Sequence, residues 1–191
     1  PESHIFVKPN FLSKEPCPSV QRRDFALFLG RLSHEKGLVT LLDAWEQLSD
    51  IPLKIAGAGP LRTFVEDRAR AFPQVEYLGL LERDEALQQL ALARFLVFPS
   101  EWYEGFPMTL LEAFSFGVPV LASNLGAVAE IVRYNDKIGM LFEVGNPTDL
   151  ACQAAWMWSH PIELAQMGEN ALHEYKAKYM PEKNYQQLIP V

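Results

Sequence analysis

The chain has 191 residues, with 17 Lys and Arg against 24 Asp and Glu, for a net charge of −7. Hydrophobic residues make up 49% and charged residues 21%, which excludes a disordered chain and fits one folded domain. The acidic balance argues against general nucleic-acid binding, which needs a basic surface, but leaves room for one small anion held by local positive charge.

The predicted elements follow in chain order. Residues 1–24 read as a linker: an extended Ile5-Phe6-Val7, then a stretch with Pro9, Pro16 and Pro18. A strand is expected at Phe25–Leu29 and a helix over Leu38–Leu48, where Leu38, Leu41, Leu42, Trp45 and Leu48 share one face. Leu53–Ala56 is a second strand, Leu61–Ala71 a helix, and Val75–Leu78 a third strand. A helix capped by Asp84 leads to a fourth strand, Phe95–Phe98, stopped by Pro99. Met108–Phe116 reads as helix, Val118–Ala122 as strand, Val128–Val132 as a short helix and Met140–Glu143 as a last strand. Helices follow at Asp149–Trp158 and Glu163–Tyr179, and residues 181–191 begin another. Trp156, Trp158, Tyr175, Tyr179 and Tyr185 read as packing residues. Strands alternating with helices at these lengths predict an α/β, Rossmann-like, doubly wound parallel sheet of about six strands, with residues 25–180 as the domain.

Cys17 and Cys152 form no CxxC and no metal spacing, so a reduced compartment and plain thiols are expected. No apolar stretch reaches the ~20 residues of a membrane span, and no signal-peptide pattern is present. A chain that starts at Pro1 inside an extended segment reads as a fragment of a longer protein.

Ligands of such sheets bind at the carboxyl ends of the strands, so the loops there are read for chemistry. The first, Gly30 to Gly37, offers Arg31 and Lys36, a planar fork and a mobile point charge that suit a diphosphate. The same residues also read as a solvated turn. The second, Gly57-Ala58-Gly59-Pro60-Leu61-Arg62, begins like a dinucleotide fingerprint, but Arg62 stands where the third Gly belongs. Its simpler reading is a tight turn with Pro60 starting the helix. In the third, Leu80 and Leu81 either wall a base or belong to the core. The fourth, Pro99 to Phe114, carries Glu104 just before a helix that begins near Gly105 to Met108, with Pro107 in its first turn. The first N–H groups of that helix form an anion site. Carboxylates beside an anion site suit sugar hydroxyls, to which they offer acceptors. Glu104 also reads as a favourable charge at a helix start. Glu112 reads as a surface charge, except that Leu110, Leu111, Ala113 and Phe114 flank it, and an acid among apolar neighbours needs partners.

With these motifs in order, the chain resembles the C-terminal donor-binding domain of retaining glycosyltransferases of family 4, the glycosyl transferases group 1, of the GT-B fold. The matching pieces are Gly30-Arg31-Leu32 with Glu35-Lys36-Gly37, Ile55 to Pro60, the E-x7-E element from Glu104 to Glu112, and Gly117 to Ala122. Ala129 to Val132 and Gly145 to Leu150 also fit, and the resemblance runs over residues 5–188. It implies transfer of a sugar from a nucleotide diphosphate sugar, UDP- or GDP-linked, with retention. Arg31 and Lys36 would hold the diphosphate, Glu112 the ribose hydroxyls and Glu104 the donor sugar, with Arg31, Lys36 and Glu104 as the catalytic set. Gly30, Gly57, Leu81, Gly105, Phe106, Met108, Thr109 and Leu110 would line the donor, Leu81 at the base and the backbone from Gly105 to Leu110 at sugar and phosphate.

No cofactor and no metal is implied, and no Asp-x-Asp motif occurs. The implied partners are the donor, an N-terminal domain of the same chain absent here, and a saccharide or lipid-linked acceptor. The implied location is cytoplasmic, with peripheral attachment at the inner membrane face through the absent domain as a further option. The chain departs from the family pattern at Gly126-Ala127, where Gly-Gly is frequent, and His34 is its one histidine near the phosphate loop. By itself the chain is expected to bind donor without efficient turnover. A stand-alone, non-catalytic nucleotide-sugar module is the alternative. A nicotinamide enzyme is disfavoured by Arg62 and by the absence of a Gly-rich turn after the first strand.

Overall fold

The short apolar runs become six parallel strands in the computed structural model, which describes residues 10–12, 22–134 and 138–188. The strands are β1 (Ala26–Leu29), β2 (Leu53–Ala56), β3 (Val75–Gly79), β4 (Phe95–Phe98), β5 (Val120–Ser123) and β6 (Gly139–Phe142). Their order is β3-β2-β1-β4-β5-β6, with every neighbouring pair parallel. The helices are α1 (Leu38–Trp45), α2 (Arg62–Ala71), α3 (Arg83–Leu92), α4 (Met108–Ser115), α5 (Gly126–Tyr134), α6 (Pro147–Ser159), α7 (Pro161–Lys178) and α8 (Pro181–Leu188). The expected doubly wound sheet is therefore present. The expected extended segment Ile5–Val7 and Cys17 lie outside the described residues.

The two-residue period of a strand sends alternate side chains to opposite faces, and a parallel sheet buries both. Ala26 and Phe28 of β1 and Phe95 and Val97 of β4 pack with Trp45 of α1, Val65 of α2 and Met157 of α6. Leu27, Leu96 and Phe98 face the other way, toward Leu90 of α3, Leu110 and Phe114 of α4, and Ala171 of α7. Trp45 is fully buried and its indole N–H donates to the Ile51 carbonyl at 2.9 Å, which satisfies the one polar atom it brings into the core.

Several boundaries differ from the sequence reading, each for a local reason. α1 stops at Trp45, because Gln47 and Leu48 turn onto the carbonyls of Ala44 and Trp45 in a tighter, 3-10-like winding. α3 is capped by Glu82, not Asp84: Glu85 reaches back to the Glu82 N–H at 3.3 Å in a capping box. β5 starts at Val120 because Val118 still donates to Ala113 O, at 2.8 Å, after the left-handed Gly117. Pro107 is the N-cap of α4 rather than a first-turn residue, and Pro60 precedes α2 by two residues. Tyr175 and Tyr179 are buried, Trp156 and Trp158 pack partly buried against the core, and Tyr185 on α8 is exposed.

Candidate functional site

β1 and β4 are hydrogen-bonded neighbours, yet α1 and α4, which follow them, pack on opposite faces of the sheet. The loops after β1 and β4 therefore diverge and open a crevice at the carboxyl edge, the place where a doubly wound sheet receives ligands.

Loop packing shapes that crevice. Gly37 adopts φ 69°, and a Cβ there would lie 1.9 Å from the Pro99 carbonyl, so only glycine lets the β1 loop close onto the end of β4. The two loops are then tied by the Glu101 N–H, which donates to Glu35 O at 2.9 Å, and by Thr40 Oγ1, which donates to the Glu101 carboxylate at 2.5 Å. This closure brings Lys36, within a 3-10 turn over His34–Lys36, into an ion pair with Glu104. Ser100 Oγ, 4% exposed, stands 3.0 Å from Glu104 Oε1 and 3.2 Å from Glu35 O, so its single proton serves one of them at a time.

Gly57, at φ 144°, answers a similar demand, because a Cβ would meet Gly30 O at 1.8 Å. Leu32 N–H donates to Ala58 O at 2.9 Å across the same contact, which ties the two loops together.

Two cavities share the crevice. One, of about 440 Å³, is lined by Gly57, Leu81, Arg83, Ala86, Leu87 and Glu112. The other, of about 270 Å³, is lined by Lys36, Ser100, Glu104, Pro107 and Met108. They meet at Leu29, Gly30, Arg31 and Thr109, which belong to both. An elongated polar molecule with two different ends fits this arrangement, with Arg31 at its middle.

Glu112 is 6% exposed, and Arg83 Nη2 donates to its Oε1 at 2.9 Å. The expectation that an acid in this apolar helix needs a partner is met. Burial pushes the Glu112 carboxyl above its ordinary range, and the charge and hydrogen bond of Arg83 pull the other way.

The structure gathers Gly30, Arg31, Lys36, Gly57, Leu81, Glu104, Met108, Thr109 and Glu112 along these walls. Three other residues from the sequence reading line neither cavity. The Phe106 ring packs on Tyr179 with centroids 5.1 Å apart. Leu110 is fully buried and its N–H turns back to Pro107 O at 3.1 Å, leaving Met108 and Thr109 at the head of α4. Gly105 is exposed before the helix. His34 is exposed and also lines neither cavity. Leu80, expected beside Leu81, is 75% exposed at the rim.

Sequence reading missed Ser100 and the pairing of Arg83 with Glu112. The signal for Arg83 was its place at the first position of a helix after a strand end. Among the described residues no cluster of His, Cys, Asp or Glu is placed to hold a metal ion, and no helix is long and apolar enough to cross a membrane.

Comparison with known proteins places this crevice in a family. The chain is 31% identical over 173 residues to D-rhamnosyltransferase WbpZ of Pseudomonas aeruginosa, covering 84% of this chain and 45% of that protein. It is 32% identical over 186 residues to the uncharacterized glycosyltransferase MJ1178 of Methanocaldococcus jannaschii, covering 95% of this chain and 51% of that one. The chain thus spans about half the length of these curated relatives. Among solved structures, Anabaena HepE in complex with UDP superposes with a TM-score of 0.77 at 22% identity, over 87% of this chain and 48% of that one. The catalytic domain of cholesterol-α-glucosyltransferase from Helicobacter pylori superposes with a TM-score of 0.69 at 24% identity, over 81% of this chain and 99% of that one. These two likenesses establish the fold as that of GT-B glycosyltransferase structures. The family model for glycosyl transferases group 1 matches residues 13–174, a span that takes in both cavities and every loop around them, and the chain belongs to that family.

Proposed function

We propose that this chain is the donor-binding domain of a retaining glycosyltransferase that uses a nucleoside diphosphate sugar. The observation that carries the reading is the pair of joined cavities, with Glu112 in one, the Lys36–Glu104 pair in the other, and Arg31 where they meet. The relatives' names support it: HepE was crystallised with UDP, and WbpZ is a sugar transferase.

In this reading the nucleoside occupies the larger cavity, with its base against Leu81 and its ribose hydroxyls on Glu112. The diphosphate lies over Gly30 between Arg31, Lys36 and the head of α4. Lys36 holds Glu104 through one of three ammonium donors and has others for a phosphate oxygen. Glu104, oriented by Lys36 and Ser100, accepts from hydroxyls of the donor sugar.

Breaking the bond between the sugar's anomeric carbon and the phosphate oxygen puts negative charge on the leaving diphosphate. Fixed donors at that charge contribute ~3–4 kcal/mol each to the transition state. The new bond from the acceptor oxygen forms on the same face of the sugar, and the acceptor's proton passes to the departing phosphate oxygen. The chain's own cations carry this charge compensation, so the reading assigns no metal or other cofactor. Acceptor contacts come from a preceding domain, in line with the half-length match to the relatives, so this chain alone binds donor with little turnover.

Calorimetric titration of the chain with UDP, GDP and ADP, with and without magnesium, tests the reading. Binding of one of them without metal is the expected result. Binding of none, or binding that requires magnesium, overturns the reading as stated.

A further inference from the structure

The Arg83–Glu112 pair has an unequal build. Glu112 sits in the middle of α4 with its side chain 8% exposed, whereas Arg83 heads α3 with its side chain 71% exposed. An exposed arginine on a buried carboxylate adds little to fold stability, because solvent screens it. Its placement matters more for what the carboxylate can accept. An ionised carboxylate is acceptor-only, with two oxygens for hydroxyl donors, whereas the protonated form turns one oxygen into a donor. Arg83 takes Oε1 through Nη2, which leaves Oε2 for a ligand.

We infer that Arg83 is a positioning residue for the nucleoside end of the donor: it holds Glu112 ionised and turned so that Oε2 faces the ribose diol. The inference rests on the donor-binding reading above. It assigns to this chain a second residue that sets how a ribonucleotide is told from its deoxy counterpart, without touching the ribose itself.

The surroundings of Glu112 leave this task to Arg83. The other charged side chain lining the cavity is Arg31, which stands at the junction with the second cavity. Asp84 and Glu85 share the first turn of α3, and Glu85 is turned back to the Glu82 N–H. α7 packs on α4 and brings Glu174 and Lys178, which pair with each other at 2.8 Å. Arg83 supplies the charge that opposes the effect of burial on this carboxyl.

The test titrates the chain, R83A and R83K with UDP, GDP and their 2′,3′-dideoxy counterparts from the ordinary carboxyl range upward, about pH 4 to about pH 8. R83A leaves the buried Glu112 without its partner whereas R83K keeps the charge, so urea unfolding of both variants separates a lost fold from a lost ligand contact. In the parent, affinity for the ribonucleotide exceeds that for the dideoxy form and falls only at the acid end of the range. In R83A the ribonucleotide affinity falls about tenfold as pH drops, beginning at a higher pH than in the parent, while the dideoxy affinity is flat. R83K, which keeps the charge, restores most of the parent profile.

An R83A profile that superimposes on the parent's overturns the positioning role and leaves the ribose reading standing. Equal loss for ribo and dideoxy ligands at every pH overturns it as well, because Arg83 would then act on base or phosphate. A parent with no ribose preference overturns the underlying reading and this inference together.

Discussion

Replacing Glu112 by Gln separates ligand binding from fold stability at one atom. The shape is kept, one oxygen still accepts from Arg83, and the charge is removed. The ion pair it weakens is mostly solvated on the Arg83 side, 71% exposed, so its loss costs no more than about 1 kcal/mol. The burial penalty on the carboxylate, which raises its pKa, disappears at the same time. These two changes offset, and the stability of E112Q should stay within about 1 kcal/mol of the parent. The bond to a ribose hydroxyl has no such offset. A hydrogen bond to a charged acceptor is worth about 1.5–3 kcal/mol, or roughly 10-fold to 100-fold in affinity. Urea unfolding reads the first quantity, and calorimetry with UDP or GDP against the dideoxy form reads the second. Equal losses for ribo and dideoxy ligands would refute the ribose assignment. A stability loss above about 2 kcal/mol would show that Glu112 holds the fold instead.

The same substitution changes how stability depends on pH. The Glu112 carboxyl is raised in the folded chain, so its proton is held more tightly there than in the unfolded chain. Its contribution is full below the ordinary carboxyl range and lost as pH rises through the raised value. E112Q lacks that loss, so its urea midpoint should gain on the parent's as pH rises above the ordinary carboxyl range; a constant difference would refute the shift. Arg31→Ala and Lys36→Ala should weaken UDP or GDP far more than uridine or guanosine, and comparable losses for nucleoside and nucleotide would remove the diphosphate role. Gly37→Ala places a Cβ 1.9 Å from the Pro99 carbonyl at φ 69° and should lower stability by more than about 2 kcal/mol in urea unfolding. An unchanged midpoint would contradict the packing argument.

The fold was readable because β/α alternation is written in local patterns. Phe95-Leu-Val-Phe98 has no polar residue, as a strand buried on both faces requires, and its alternate side chains do enter two different core layers. Boundaries were less readable where the chain ends an element by a non-helical turn. At Leu48 and Val118 the apolar pattern continues while the hydrogen bonds have already changed partners. The cationic loop and Glu104 could be placed at strand ends, and Glu112 in the helix that follows, from order alone. That the Phe106 and Leu110 side chains face Tyr179 and the core was not readable, because a loop residue beside a site and one facing the core carry the same local signal.

What the sequence by itself determined is the alternation of elements, the strand ends that bear Arg31, Lys36 and Glu104, the helix that bears Glu112, and the need of Glu112 for a partner. Tertiary structure alone decided which partner. Arg83 lies 29 positions from Glu112 and Lys36 lies 68 from Glu104, separations at which no local pattern specifies contact. The switch in crossover direction between β1 and β4 opens the crevice, and the glycines at 37 and 57 let the loops close on carbonyls from other strands. Both are properties of the assembled sheet, where backbone from distant segments meets at van der Waals range.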